Sequence, residues 1–450
     1  MTLHRRQFLS RLAAYCAAAG IPAFALADDD HEHEHDEDRR REPDSTTSQP
    51  ALPETGLTGR VVVVGGGMAG AAVAKFLRLW GGTGVQVTLV EREPRYTSNI
   101  LSNLVLTNSV QMSDLAFDYA RLASAYGIAV IRGEATAADP VAKKLTVATA
   151  SGPQVLDYDR LVVAPGIDFA YPEGLQTPEA QALVPHAWKA GPQTTLLRDQ
   201  IRAMPIGGTF VMTVPPTPYR CPPGPYERAC VVADWVKRNK PGSKVIVLDA
   251  NAAITAERES FTRAFEVTHG GVIDYVPNAP VTFVDTAAKT IHTPMGPFRG
   301  DVLNVIPTNV GPRLLADIGV ANAARGFAGV DVLSYESTAV AGIHVIGDAS
   351  ATTQPKAGHI GNQEGKVCAD AILRLLGGGT PDPSPVTNSS CYSPITWETA
   401  SWLTAVFAYD PATRTMKVVP GATGEALAAT KDHFEDMFVW FRTLMGDTFA

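Results

Sequence analysis

Cysteine is scarce. The chain has five in 450 residues, at positions 16, 221, 230, 368 and 391. That is too few for a disulfide scaffold and enough for one redox pair. No Cys-x-x-Cys-His occurs, so the chain attaches no c-type haem. Charge is modest at 19 %, and acids outnumber bases 46 to 38 for a net charge of −8. Duplex binding needs a basic face, so nucleic acid is excluded as the main partner. No apolar run reaches the roughly 20 residues of a spanning helix. Repeat arrays and coiled-coil heptads are also absent. What remains is an ordinary globular composition, 45 % hydrophobic, with Gly and Pro somewhat high at 39 and 33. At about 150 residues per domain the length gives two or three domains.

The first 27 residues carry Arg5-Arg6, an Ala-rich apolar stretch and the small-x-small run Ala25-Leu26-Ala27. This is the layout of a twin-arginine export signal, which predicts a periplasmic mature protein beginning at Asp28. Residues 28–55 read as an acidic disordered leader, with His31, His33 and His35 in a solvated tail; no metal site is assigned.

Order begins near Gly59. Residues 60–64 form a buried-type strand, followed by Gly65, Gly67 and Gly70 at Gly-x-Gly-x-x-Gly spacing and then a helical run from Ala71 to Leu79. Residues 85–91 form the next strand and end in Glu91. Together these make a full dinucleotide fingerprint. Gly65 permits the sharp turn, Gly67 lets backbone approach a pyrophosphate, and Gly70 lets the helix pack on the strand. The helix N-terminus then offers free N–H groups to the pyrophosphate, and Glu91 offers acceptors to ribose hydroxyls.

Two further segments choose between FAD and NAD. Residues 157–166 form a strand ending in Ala-Pro-Gly at Gly166, and residues 344–348 end in Gly347-Asp348. This arrangement resembles the glutathione-reductase-like flavoproteins. The resemblance implies FAD, with Asp348 on the ribityl chain and a helix from about residue 359 aimed at the flavin. It also implies an α/β fold of two Rossmann-like, doubly wound parallel-sheet domains plus a C-terminal flavin-covering domain. The expected boundaries are 56–170 with 300–379 for the FAD domain, 171–299 for the second nucleotide fold and 380–450 for the cover, entered through a linker at 380–390. The second fold has lost its glycines. Its strand, residues 207–214, runs into Pro215-Pro216-Thr217-Pro218-Tyr219-Arg220-Cys221-Pro222-Pro223. Proline has no N–H and cannot cradle a phosphate, so no NAD(P) is expected there.

The run Arg220-Cys221-Pro222-Pro223-Gly224-Pro225-Tyr226-Glu227-Arg228, with residues 185–191, 342–350, Cys391-Tyr392-Ser393 and Asp447-Thr448-Phe449, resembles the flavoprotein subunit of flavocytochrome c sulfide dehydrogenase. That family is related to the sulfide:quinone oxidoreductases. The resemblance implies a redox disulfide between Cys221 and Cys391 beside FAD, sulfide as donor and a separate c-type cytochrome as acceptor. Trp440 matches a tryptophan packed near the isoalloxazine. Glu227 is a candidate base, and Ser102 and Asn103 fall in the cofactor-binding segment. Where some relatives attach FAD through a cysteine, this chain has Tyr96-Thr97-Ser98, so FAD is expected to be non-covalent. Cys230 and Cys368 read as buried core, and His186 and His359 as packed or capping residues. Two alternatives stay open: a sulfide:quinone oxidoreductase, and a non-enzymatic accessory flavoprotein that reactivates a sulfur-oxidation complex.

Overall fold

The computed structural model describes residues 50–450. The export signal and most of the acidic leader, including the three histidines, lie outside the described residues.

Four consecutive valines favour a strand buried on both faces, and β1 (Gly59–Val64) is one. The chain turns through the glycines into helix α1 (Met68–Gly81), which begins three residues earlier than the sequence suggests. β2 (Val85–Glu91) then pairs in parallel with β1, Val64 opposite Val90. Next come β3 (Ala129–Asp139), β4 (Lys144–Thr149) and β5 (Gly152–Asp157); the last two fold back as antiparallel neighbours. β6 (Arg160–Val163) returns to lie parallel on the other side of β1. β7 (Asp168–Ala170) then leaves this sheet.

The second unit has helix α2 (Pro192–Ala203), β8 (Thr209–Val214), α3 (Gly224–Asn239), β9 (Lys244–Asp249), the short helix α4 (Arg258–Arg263) and β10 (Ile273–Val276). Its four-stranded parallel sheet runs β10-β9-β8-β11, where β11 is Val302–Asn304. This corrects the boundary placed at residue 300. Phe210 pairs with Val302, so the chain leaves the second unit only after Asn304. β12 (Thr308–Val310) pairs antiparallel with β7 and carries the chain back. β13 (Ile343–Val345) joins the first sheet beside β6, and with the short strands Val330–Asp331 and Glu336–Ser337 the sheet has nine strands. Helix α5 (Gly358–Leu376) packs along α1, both small-residue-rich: Gly365 sits so close that a Cβ there would stand 2.8 Å from the Ala69 carbonyl.

The C-terminal part is an antiparallel sheet of β14 (Val386–Pro394), β15 (Ala400–Asp410) and β16 (Thr415–Glu425), closed by helix α6 (Lys431–Phe449). The expected linker at 380–390 therefore ends sooner, because Val386–Ser390 pair with β15. The α6 side chains Met437, Phe441, Leu444 and Phe449 bury against the first core. No helix among the described residues is long and apolar enough to cross a membrane.

Candidate functional site

A cavity of about 1140 Å³ opens at the carboxyl ends of β1, β2, β6 and β13. Ligands of doubly wound sheets bind at such ends, and this volume exceeds that of an ordinary small-molecule pocket. Gly65 has φ 96°, and a Cβ there would stand 2.3 Å from the Ala164 carbonyl oxygen. A Cβ at Gly70 would stand 1.8 Å from the Gly65 carbonyl; this glycine faces the turn, not the cavity. A Cβ at Gly67 would meet nothing closer than the Tyr96 ring at 3.9 Å, leaving its backbone open to the cavity. Neither α1 nor α5 has a side-chain cap or an acid in its first turn, and both begin on the cavity wall. Their first N–H groups and positive dipole ends are free for an anionic ligand.

Glu91 also lines the cavity. Its Oε2 accepts the Gly66 N–H at 2.6 Å and its Oε1 the Glu93 N–H at 2.8 Å, and each oxygen keeps a lone pair for a hydroxyl. Gly166 (φ 77°) and Gly347 (φ 69°) pass the chain under the same space. Asp348 is half-buried there, and its carboxylate takes no hydrogen bond from the described residues. Burial raises its pKa, opposed by Arg220 and Lys356. Lys356 Nζ bonds the Asp348 and Ser350 carbonyls instead, at 2.8 and 2.7 Å. A carboxylate left free toward the cavity suits a polyol chain. Ser98 is fully buried, donates to the Ile100 carbonyl at 3.2 Å and does not line the cavity. The Ser102 hydroxyl is turned to the Asn99 carbonyl at 2.7 Å. The glycine turn, two uncapped helices and unpaired Asp348 fit FAD.

Cys221 and Cys391 meet on the wall of this cavity. Both are free cysteines in this structure, and each acts on the other's pKa, so the two side chains are neighbours. Their surroundings are unequal. The Cys391 thiol donates to Cys221 and pulls its pKa down, with help from Arg220 and the Gly224 N–H. Cys391 is pushed well up by that same bond, by burial, and by the charges of Cys221, Glu257 and Glu227. Cys221 sits in the left-handed region at φ 57°, its N–H tied to the Lys356 carbonyl at 2.7 Å immediately before α5. A residue held there stores strain that the surrounding structure must hold in place.

Glu227 is 7 % exposed on the first turn of α3, on the cavity wall. Burial raises its pKa well above the ordinary range, and Cys221 adds to the effect. Asn103 holds it, donating to Glu227 Oε1 at 2.9 Å and to the Gly224 carbonyl at 3.1 Å while accepting from Arg228 Nε at 2.9 Å. The Asn103 amide thus places Glu227, and the residue also lines the cavity. Sequence reasoning quoted Arg228 but gave it no role. It is 1 % exposed and donates to His186 O, Ala187 O and Asn304 Oδ1 at 2.7, 2.6 and 3.0 Å. Burial lowers its pKa to about 9. Gly224 was missed too: a Cβ there would stand 2.8 Å from Cys221 Sγ.

Trp440 of α6 reaches the cavity beside Cys391, its ring 5.6 Å from Tyr392 and 6.4 Å from His359. His186 and His359 are packed. The Nδ1 of each accepts a backbone N–H, from Trp188 at 2.9 Å and from Ser390 at 3.0 Å, and burial lowers both pKa values, to about 3 for His186. Cys230 and Cys368 are fully buried core thiols.

In the second sheet Asp249 ends β9 as Glu91 ends β2. There the space is filled. Asp249 is fully buried, with Oδ2 accepting from Tyr226 and Tyr275 at 2.8 Å each and Oδ1 from Asn251. Arg325 clamps the proline loop, donating to the carbonyls of Pro216, Thr217 and Pro218.

The two parallel sheets and the glycine cradle give the chain the fold of FAD-dependent pyridine nucleotide-disulphide oxidoreductases, and residues 59–203 match the family model for pyridine nucleotide-disulphide oxidoreductase. Residues 194–307 match the model for the central part of the sulfide dehydrogenase [flavocytochrome c] flavoprotein chain, so the resemblance read from the motifs holds. The fold is similar to that of sulfide:quinone oxidoreductase from the hyperthermophilic bacterium Aquifex aeolicus. The TM-score is 0.67 at 20 % identity, over 87 % of this chain and 92 % of that one. It is also similar to an NAD-dependent persulfide reductase from A. fulgidus, with TM-score 0.58 at 16 % identity over 86 % and 77 % of the two chains. A third likeness is to reduced Bacillus anthracis CoADR-RHD, with TM-score 0.57 at 16 % identity over 87 % and 75 %.

Proposed function

We propose that the chain is the flavoprotein of a sulfide dehydrogenase, exported to the periplasm, that oxidises sulfide and hands electrons to a separate c-type cytochrome. The observation that carries this reading is the contact of Cys221 with Cys391 on the wall of a cavity built for FAD. When the two sulfurs are bonded, hydrosulfide attacks one of them. A new S–S bond forms, the Cys221–Cys391 bond breaks, and the other sulfur leaves as thiolate. Cys221 suits the leaving position, since Arg220 and the Gly224 N–H favour its anion. Glu227, buried on the cavity wall and electrostatically coupled to Cys221, is the candidate to take the proton that hydrosulfide sheds, when its own carboxyl is deprotonated. Bound FAD supplies the two-electron acceptor. It is held without a covalent bond, as Ser98 is turned away from the cavity.

Anaerobic titration of the purified protein with sulfide, followed by flavin absorbance, tests the reading. Wild type should bleach. Cys221→Ser and Cys391→Ser should each keep FAD and fold yet bleach at least about a hundredfold more slowly. Near wild-type bleaching in both variants would reduce the pair to a structural contact. Adding cytochrome c separates an enzyme from an accessory protein, since only the enzyme turns over free sulfide. A quinone acceptor is a second reading, favoured by half-buried Phe434 and Phe438 and exposed Val439 on α6. Asp432, Glu435 and Asp436 on that helix oppose binding to anionic lipid. Faster reduction of a soluble quinone than of cytochrome c would decide for it.

A further inference from the structure

Behind Cys391 lies a carboxyl group with no role in the scheme above. Glu257 caps α4 with φ 47°, in the left-handed region, and is 4 % exposed. Its Oε1 accepts the Ser393 hydroxyl at 2.5 Å, while its Oε2 is buried without a hydrogen-bond partner. Ser393 is two residues past Cys391 on β14, hence on the same face of the strand. Glu227 approaches the pair from α3, so the two carboxyl groups come from different elements. Arg220 adjoins Cys221 in the chain and acts on its side of the pair.

We propose that Glu257 is a positioning residue for the redox pair: its charge, tethered by Ser393, keeps the single proton of the reduced pair on Cys391 and leaves Cys221 as the thiolate. The inference rests on reading the two cysteines as a redox pair. The step is a proton placement in which no bond between heavy atoms changes and no electron moves. Two thiols sharing one proton divide it according to the charges around them. Anions on one side and a cation on the other make that division lopsided. The groups that face Glu257 are Cys391 and Ser393 from β14, Ser401 from β15, Glu425 from β16, and Glu227 and Cys230 from α3. Burial pushes the Glu257 carboxyl up to about 7, against the pull of the Ser393 and Ser401 hydroxyls. Its charge therefore switches on as pH rises through neutrality.

The test is thiol labelling of the reduced protein with limiting iodoacetamide between pH 5.5 and 9, with the Cys221-to-Cys391 ratio read by mass spectrometry. In wild type, Cys221 should be preferred, and the preference should climb about tenfold through pH 7 as Glu257 ionises, the equivalent of one pKa unit between the thiols. Glu257→Gln should keep the Ser393 donor satisfied and flatten that rise. Glu257→Asp, which keeps the charge, should restore it. A Glu257→Gln profile that superimposes on wild type overturns the proposal. If Glu257→Gln does not fold, Ser393→Ala decides: losing the donor raises the carboxyl pKa and should carry the rise to higher pH, and an unmoved rise overturns it. Sulfide is absent from this measurement, so its failure is distinct from failure of the sulfide titration.

Discussion

A Cβ at position 224 would stand 2.8 Å from the Cys221 sulfur and 2.9 Å from the Trp188 ring. Both neighbours are fixed. Cys221 is tied through its N–H to Lys356, and the Trp188 ring lies under the buried Arg228 guanidinium, 4.9 Å away. With the Cys221 backbone and the Trp188 ring held in place, the sulfur is what must swing away if a side chain appears, and it loses its alignment with Cys391. Helix propensity favours the opposite outcome, since alanine is the better helix former. We expect Gly224→Ala to keep its flavin and to melt within a few degrees of wild type. Sulfide-driven bleaching should slow at least about tenfold, or about 1.4 kcal/mol in barrier. Unchanged bleaching would mean that the sulfur does not depend on the helix N-terminus.

Helix α3 joins three elements through Arg228. The guanidinium links the 102–107 turn through Asn103, the 186–187 segment through two carbonyls, and β11 through Asn304. Removing it strands several buried acceptors at once. Arg228→Met should cost roughly 3 kcal/mol and lower Tm by about 5 °C or more, with Glu227 losing its placement as Asn103 is freed. A Tm equal to wild type would show that the segment packs without the knot. Such links explain which elements were legible in the sequence. β1, α1 and β2 were, because valine runs, glycine spacing and a terminal Glu are local signals. The strand at 302–304 was assigned to the FAD domain and the start of β14 to a linker, because a stretch of three to five residues does not itself say which sheet it joins; partners such as Phe210 and Ala405 decide that. Cys221, Glu227 and Cys391 were found through a family likeness. Asn103 was found too, on the cavity wall, and its amide also ties down Glu227 of α3. Gly224, Arg228 and Glu257 act through neighbours 3 to 136 residues away in sequence, and no local pattern marks them.

At the scale of the whole molecule, the chain builds two parallel sheets whose strand ends are furnished differently. In the first, Glu91 and the glycine turn open onto the large cavity. In the second, Asp249 occupies the matching strand end but is sealed by Tyr226 and Tyr275, and prolines held by Arg325 replace the glycine turn. Burial raises the Asp249 pKa, against the donors from Asn251, Tyr226 and Tyr275 that hold its carboxylate. To admit a nicotinamide dinucleotide, both tyrosine hydroxyls would have to leave a buried acceptor, at about 1–3 kcal/mol for the exposed group. The proline loop has too few N–H groups to repay that. We therefore expect NADH at micromolar concentration to leave the flavin spectrum unchanged under anaerobic conditions, while sulfide bleaches the same sample. Asp249→Ala with Tyr226→Phe, which empties the plug, should still fail with NADH, because the phosphate cradle is missing as well as the ribose site. Rapid bleaching of wild type by NADH would reverse the assignment of the donor and return this chain to the pyridine-nucleotide-dependent members of its fold.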